Sequence, residues 1–477
     1  MVIQVSFMKQ LDPRRVLIVV SAAVFMASLD LFIVNIAFPD VQRDLGGSDS
    51  SLSWILNAYA IVFAALLVPA GRIADLVGRR RTFLAGLVVF ALASALCAAA
   101  PSLGALVAFR LLQAAGAAML VPTSLALLLS AAPLEKRSAY VGAWAAVGGV
   151  AAAAGPPIGG LLVQLSWRWV FLVNLPVAAI ALVAGLRTLR EERDPDSAGV
   201  PDLIGAALLT AGVGALTAGI VQGPVWGWGS AGVVALFAGS LGLLVAFSWR
   251  SARHPVPVVE MDLLRVRAFA AANVAAMAFY VGFGAMLLGG VLFLTRVWHE
   301  SVLTAGLMIA PGPLMAATFS VVGGRFADRV GHRTLAVIGG LVFALGSLFW
   351  ALRMGAHPNY AGTFLPGFVV GGIGVGLVNP TLSSAAAAAL PAGRFATGSA
   401  IYNMSRQLGS ALGVALLVAI VGTPTPAGAV GAFRGGVLIV VAGGALTAIA
   451  AAAMGRVRIG AVPVAAAAAA EPLRAAA

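Results

Sequence analysis

Asp30, Arg110 and Gln113 are the residues of this chain best placed to do chemistry, because each puts a polar or ionised group inside an apolar stretch. Asp30 stands in LDLFIVNIAFP and is the one carboxylate deep within such a stretch. A carboxylate in hydrocarbon is expensive, so such residues face a cavity or a partner and mark an ion or proton path. A carboxyl group's proton affinity rises on burial and falls beside a cation. A carboxylate at this position can therefore exchange a proton as its surroundings alternate; a permanently ionised structural partner for an arginine is the other reading. Arg110, in RLLQAAGAA, is the natural partner. From Val16 to Asp30 the rise is about 21 Å at 1.5 Å per residue, and Arg110, entering from the other face, reaches about the same depth in a core of about 30 Å. Gln113, three residues on, shares its helical face. Arg406, in NMSRQLGSALG, has no carboxylate within the apolar stretches of its own half. Its partner is then a set of backbone carbonyls, an anionic ligand group, or Asp30.

The elements that position these groups follow from composition. The chain has 477 residues, 61% hydrophobic and 10% charged, with a mean hydropathy of +1.01, against roughly a quarter charged in a soluble domain. Apolar runs of about twenty residues, each able to cross a hydrocarbon layer of about 30 Å, recur fourteen times, which predicts an all-α polytopic membrane protein. The net charge of +13 is an orientation signal: with the N-terminus inside, most Lys and Arg fall in cytoplasmic loops, as the positive-inside rule requires. Both termini are then cytoplasmic in a multi-pass bacterial inner (plasma) membrane protein, and nucleic acid is not an expected partner. Cys97, the single cysteine, excludes an intramolecular disulfide or a cysteine metal cluster. His254, His299, His332 and His357 lie in predicted loops, so no metal or acid–base enzyme site assembles in the membrane. Lys9 and Lys136 follow no Gly-x-x-x-x-Gly run, so there is no P-loop. No ring of like charges builds a channel filter.

GRIADLVGRR begins at Gly71 and GRFADRVGHR at Gly324, and seven of the ten positions are identical. Equivalent loops in two halves imply a duplicated six-span unit with a two-span insert, as in secondary transporters whose substrate site lies at the repeat interface. The expected divisions are a cytoplasmic N-terminus (1–15), a first six-helix bundle (16–188), an insert (200–250), a second bundle (268–455) and a disordered tail (456–477). In the loops, Asp75 and Asp328 can pair with Arg79, Arg80 or Arg333, forming a cytoplasmic gate that latches the halves; a merely topogenic basic loop is the bland alternative. Gly71, Gly78, Gly324 and Gly331 permit tight turns.

Together with GPPIGG, WRWVFLVNLP and NMSRQLGSALG, taken in this order, these motifs resemble the major facilitator superfamily, in particular its fourteen-span drug:proton antiporters. The resemblance covers nearly the whole chain. Phe32 and Ala114 depart from it, where Thr and Gly are usual. It implies proton transfer at Asp30, Arg110 and Gln113, and it reads Gly155, Pro156, Gly159 and Gly160 as the antiporter motif that accompanies export. The implied activity is proton-coupled export of small amphipathic drugs or antibiotics by alternating access, driven by the proton gradient with no cofactor; an importer or a monovalent cation/proton exchanger is the alternative. Asn35, Trp54, Tyr59, Tyr280, Tyr402, Asn403 and Arg406 are expected to line the substrate pocket of a monomer. One carboxylate against two guanidiniums there predicts poor transport of dications.

Overall fold

A computed structural model describes residues 12–133, 137–191, 199–390 and 395–455; the side chains of residues 324–329, Asp328 among them, are outside this description. Most of the N-terminal segment and the whole of the expected tail 456–477 also lie outside it. Every regular element among the described residues is helical. The first bundle comprises α1 (Pro13–Leu45), α2 (Asp49–Val77), α3 (Arg79–Ala98), α4 (Leu103–Ala131), α5 (Arg137–Val163) and α6 (Trp169–Thr188). The insert is the hairpin α7 (Leu203–Trp226) and α8 (Ala231–Ser251). The second bundle begins with α9 (Arg267–Arg296) and a broken α10 (Val302–Ile309, then Pro311–Val330). It continues with α11 (His332–Arg353), α12 (Leu365–Ala388, after a π turn at Tyr360–Phe364), α13 (Phe395–Val421) and α14 (Ala429–Ala452). Thirteen helices are long and apolar enough to cross a membrane, and Ala154–Val163 within α5 is a shorter apolar helix among the described residues. The chain is a multi-pass membrane protein.

Helices are the available solution because hydrocarbon offers no hydrogen bonds to an open backbone. Their ends are capped from the sequence: Ser48, Ser102, Ser230 and Ser301 each accept a bond from a backbone amide three residues on, satisfying donors the first turn leaves free. Gly78 and Gly331 occupy equivalent places in the two repeated loops, with φ of 128° and 90°, where a side chain would be strained. That shared backbone requirement is one reason the loop is written twice.

The duplication is visible in the packing. α1 lies on α5, α2 on α4 and α3 on α4; eight helices further on, α9 lies on α13, α10 on α12 and α11 on α12. The halves meet where α2 touches α13 and where α5 touches α10, and α7 lies against both α2 and α13. Small residues permit these approaches. In α5, Gly155 and Gly159 face Phe32 and Ile33 of α1, while Gly160 faces Leu303 of α10. Its continuation into α10 is as close: a Cβ added to Gly306 would stand 2.6 Å from the Pro156 carbonyl oxygen. The GPPIGG segment thus packs α5 against its own bundle on one side and the other bundle on the next.

In α13, a Cβ at Gly413 would stand 2.0 Å from the Val281 carbonyl oxygen of α9, whereas one at Gly214 in α7 meets nothing within 4 Å. Gly413→Ala is therefore expected to lower the melting temperature of the purified protein, by overpacking worth roughly 1–3 kcal/mol, with Gly214→Ala close to neutral. Equal melting temperatures for the two variants would show that α9 and α13 separate without cost.

Candidate functional site

Six helices pack so that five of them, α1, α2, α3, α4 and α6, each send a polar group to one point inside the first bundle. Asp30, Tyr59, Ser94, Arg110 and Gln113 are fully buried there and Asn174 nearly so. Asp30 Oδ2 accepts from Arg110 Nη1, and the two form an ion pair. Asp30 Oδ1 accepts from Gln113 Nε2 at 2.9 Å and from Asn174 Nδ2 at 3.2 Å. Gln113 Nε2 also donates to Ser94 Oγ at 2.8 Å. Arg110 Nη1 bonds Gln113 Oε1 at 2.7 Å, and its Nε reaches the Ile55 carbonyl at 3.1 Å. The guanidinium stacks over the Tyr59 ring, 4.0 Å from its centroid. Charge-assisted bonds of this kind are about twice as strong as neutral ones, and a buried pair leans on each of them.

Two groups in this cluster have spare capacity. Arg110 Nη2 and the Tyr59 hydroxyl have no hydrogen-bond partner among the described residues. A proton arriving on Asp30 would cancel its charge and loosen the guanidinium, one of whose nitrogens has no partner among the described residues. The arrangement can therefore couple one proton to a shift of α4 against α1 and α2.

A cavity of about 350 Å³ lies between the halves. It is bounded by α2 (Leu67), α4 (Val121, Pro122 and Ser130 among others), α5 (Trp144) and α13 (Ser399, Asn403), and it reaches Arg79 at the end of the molecule that carries Pro13. Of the residues expected in a substrate pocket, Asn403 borders this cavity. Tyr59 is instead sealed beneath Arg110, because the guanidinium needs a π face where water is excluded. Asn35 turns back onto its own helix and donates to the Leu31 carbonyl at 2.9 Å; Trp54 packs against the core. Tyr280 and Tyr402 are buried. Arg406 lies one turn beyond Asn403, bonded to its Oδ1 at 3.3 Å and stacked 4.7 Å from the centre of Tyr280. Asp30 is not its partner, since both oxygens of that carboxylate are occupied within the first bundle.

At the basic end, Asp75 accepts from Arg79 Nε at 3.0 Å, a pair within one bundle rather than across the two. Arg80 donates to the Leu186 carbonyl at 3.0 Å. Glu191 accepts from the amides of Arg80 and Arg81 at 3.1 and 3.2 Å, neutralising the positive N-terminal end of α3. Arg333 is exposed, and Asp328 lies outside the described side chains. At the opposite end the halves are tied. Arg296 of α9 grips Asp49 of α2 through both terminal nitrogens and Gln42 of α1 at 2.8 Å. The cavity thus reaches toward the basic end, and among the described residues an ion pair ties the halves at the other end. Sequence reasoning overlooked Ser94 and Asn174, although each is a polar residue inside an apolar run. It also missed the Asp49–Arg296 pair, whose partners stand 247 residues apart.

The family profile described as Major Facilitator Superfamily matches residues 20–414 and, in an overlapping match, 274–473. The puromycin resistance protein pur8 of Streptomyces alboniger is 36% identical over 417 residues, covering 85% of this chain and 82% of that protein. The multidrug resistance protein Stp of Mycobacterium tuberculosis (strain CDC 1551 / Oshkosh) is 35% identical over 404 residues, covering 84% and 74%. The methylenomycin A resistance protein of Bacillus subtilis (strain 168) is 33% identical over 419 residues, covering 85% and 87%. Among solved structures, a POT family transporter in complex with 5-aminolevulinic acid superposes with a TM-score of 0.67 at 16% identity, over 92% of this chain and 96% of that one. The duplicated six-helix bundles, the repeated loop within each and these relatives lead to one assignment: the chain belongs to the major facilitator superfamily.

Proposed function

We propose that this protein is a proton-coupled exporter of small amphipathic molecules, antibiotics among them, that works by alternating access in a bacterial plasma membrane. The observation that carries the reading is a fully buried Asp30–Arg110 pair in the same bundle that walls a cavity between the halves. The relatives' names, which speak of resistance to puromycin, methylenomycin A and multiple drugs, favour export over uptake or cation exchange. Placing the basic end in the cytoplasm follows the positive-inside rule and sets both termini inside. The conformation described is then the one that loads cargo from the cytoplasm.

The cycle follows from charge and burial. With Asp30 ionised, Arg110 is held and the cytoplasmic cavity is available to cargo. Breaking Arg296 away from Asp49 opens the outer end, cargo leaves, and a proton from outside settles on Asp30. The neutral carboxyl group releases Arg110, the halves rock back, and the proton departs inward when cargo or water reaches the cluster. The proton gradient supplies the driving force and no cofactor takes part. Asp75, Arg79, Arg80 and Arg333, with Asp328, act at the inner gate when the cytoplasmic end closes, and a single chain contains all of these parts.

Asp30→Asn should abolish gradient-driven efflux while the protein still inserts and folds, because no other deep carboxylate can take the proton. Efflux from cells and proton release from reconstituted vesicles are the measurements; pH-dependent efflux at the parental rate in this variant would sink the coupling role. Asp49→Asn should weaken the outer tie by on the order of 1–3 kcal/mol, the worth of hydrogen bonds to a charged group, and shift the population toward the outward-open state. Hydrogen–deuterium exchange should then rise around residues 42–52 and 296–304 and fall around Arg79; an unchanged pattern at both ends would rule the tie out as a gate.

A further inference from the structure

The second bundle holds a half-buried cation that the proton chemistry does not use. Arg406 is eleven residues into α13, about 16 Å from its start at 1.5 Å per residue, which places it well inside the membrane. No carboxylate is present in any apolar stretch of this half, and none pairs with Arg406 among the described residues. Its Nη1 has one long bond to Asn403, and its Nε, though buried, has no hydrogen-bond partner. Close by on the same helix, the Tyr402 hydroxyl and Gln407 Nε2 are also buried donors without partners. A guanidinium with no carboxylate partner among the described residues, on a helix that carries two more idle donors, is a costly arrangement for a structural residue. It is what a site for an electronegative group requires.

The surroundings say what the rest of the ligand is. Tyr280 stacks on Arg406, and its hydroxyl donates a hydrogen bond to Asn379 Oδ1 at 2.7 Å. Phe283 stands edge-on to Tyr280, with ring centroids 5.6 Å apart, and meets Phe32 of the first bundle at 6.3 Å. Aromatic faces therefore extend from the cation to the seam between the halves. Asn403 borders the cavity and bonds Arg406, so cargo entering from the cytoplasm meets this group next. We propose that Arg406 is the recognition site for an acidic oxygen, a carboxylate or phenolate, on an aromatic, amphipathic cargo, with Asn403 and Gln407 as neutral supporting donors or acceptors. The inference rests on the export reading for its biological sense, but binding alone tests it.

Dansylglycine and its methyl ester offer matched probes, an aromatic carboxylate and the same ring system without the charge. In nanodiscs of phosphatidylcholine, the protein should bind the acid at least about tenfold more tightly than the ester, the worth of one charge-assisted bond. Arg406→Gln should remove that preference by weakening the acid alone, and Arg406→Lys should restore part of it. The ligand-free Arg406→Gln protein should melt no lower than the parent, because an unpaired charge has been removed, and dansylglycine should raise the melting temperature of the parent only. Binding of both probes equally or of neither by the parent, a preference that survives Arg406→Gln, or a large drop in the variant's ligand-free melting temperature would each overturn the proposal. Absence of dansylglycine efflux in cells with the binding preference intact would count against export and leave the site standing.

Discussion

Where no water can follow, a carboxylate and a guanidinium must satisfy each other or be satisfied by the chain around them. Asp30 and Arg110 meet under that constraint, and the first bundle is arranged to serve it. α3 supplies Ser94, α4 supplies Gln113, α6 supplies Asn174, and α2 supplies both a carbonyl at Ile55 and an aromatic face at Tyr59. A polar network fully satisfied in low dielectric is rigid, and one that loses a charge loses its organisation. In the proposed cycle that difference turns one proton into a mechanical event, because every helix of the bundle that touches Asp30 is released or held together.

The second bundle repeats the packing but not the chemistry. α9 and α13 approach each other through glycines as α1 and α5 do, yet the position of a buried acid is empty and a cation stands in α13. The two halves are therefore equivalent scaffolds that carry different charges: an ion pair sealed inside the first bundle and, among the described residues, a lone guanidinium in the second. At the end opposite Arg79 the two halves close through two different means: glycine against backbone between α5 and α10, and an ion pair from Asp49 to Arg296. The first contact favours close approach without direction, whereas the second is broken by rotation of a few ångströms.

How much of this was legible in the sequence depended on the range of the interaction. Depth along single helices was enough to bring Asp30, Arg110 and Gln113 together, since rise per residue and the spacing of Gln113 from Arg110 are local quantities. The repeated loop was enough to divide the helices into equivalent sets. Ser94 and Asn174 escaped because their value depends on how α3 and α6 are turned about their own axes. Tyr59 was expected beside cargo, but its ring is beneath a guanidinium, a contact that needs both helices in place. Asp49 and Arg296 belong to loops in the sequence and to one bond in space. Asp75 pairs with Arg79 within its own bundle in this conformation, and a sequence carries no record of which conformation it describes.

The insert has a consequence for the route that a greasy molecule can take. α7 lies over the line where α2 meets α13, so that flank of the seam is roofed by a third helix. On the other flank α5 meets α10 without such a cover among the described residues. A molecule dissolved in the bilayer therefore finds the two sides of the protein unequal: one is walled off from lipid by the hairpin, and the other is a bare line between two helices that must part and rejoin in each turnover. The hairpin makes the transporter one-sided in the plane of the membrane, in addition to being directional across it.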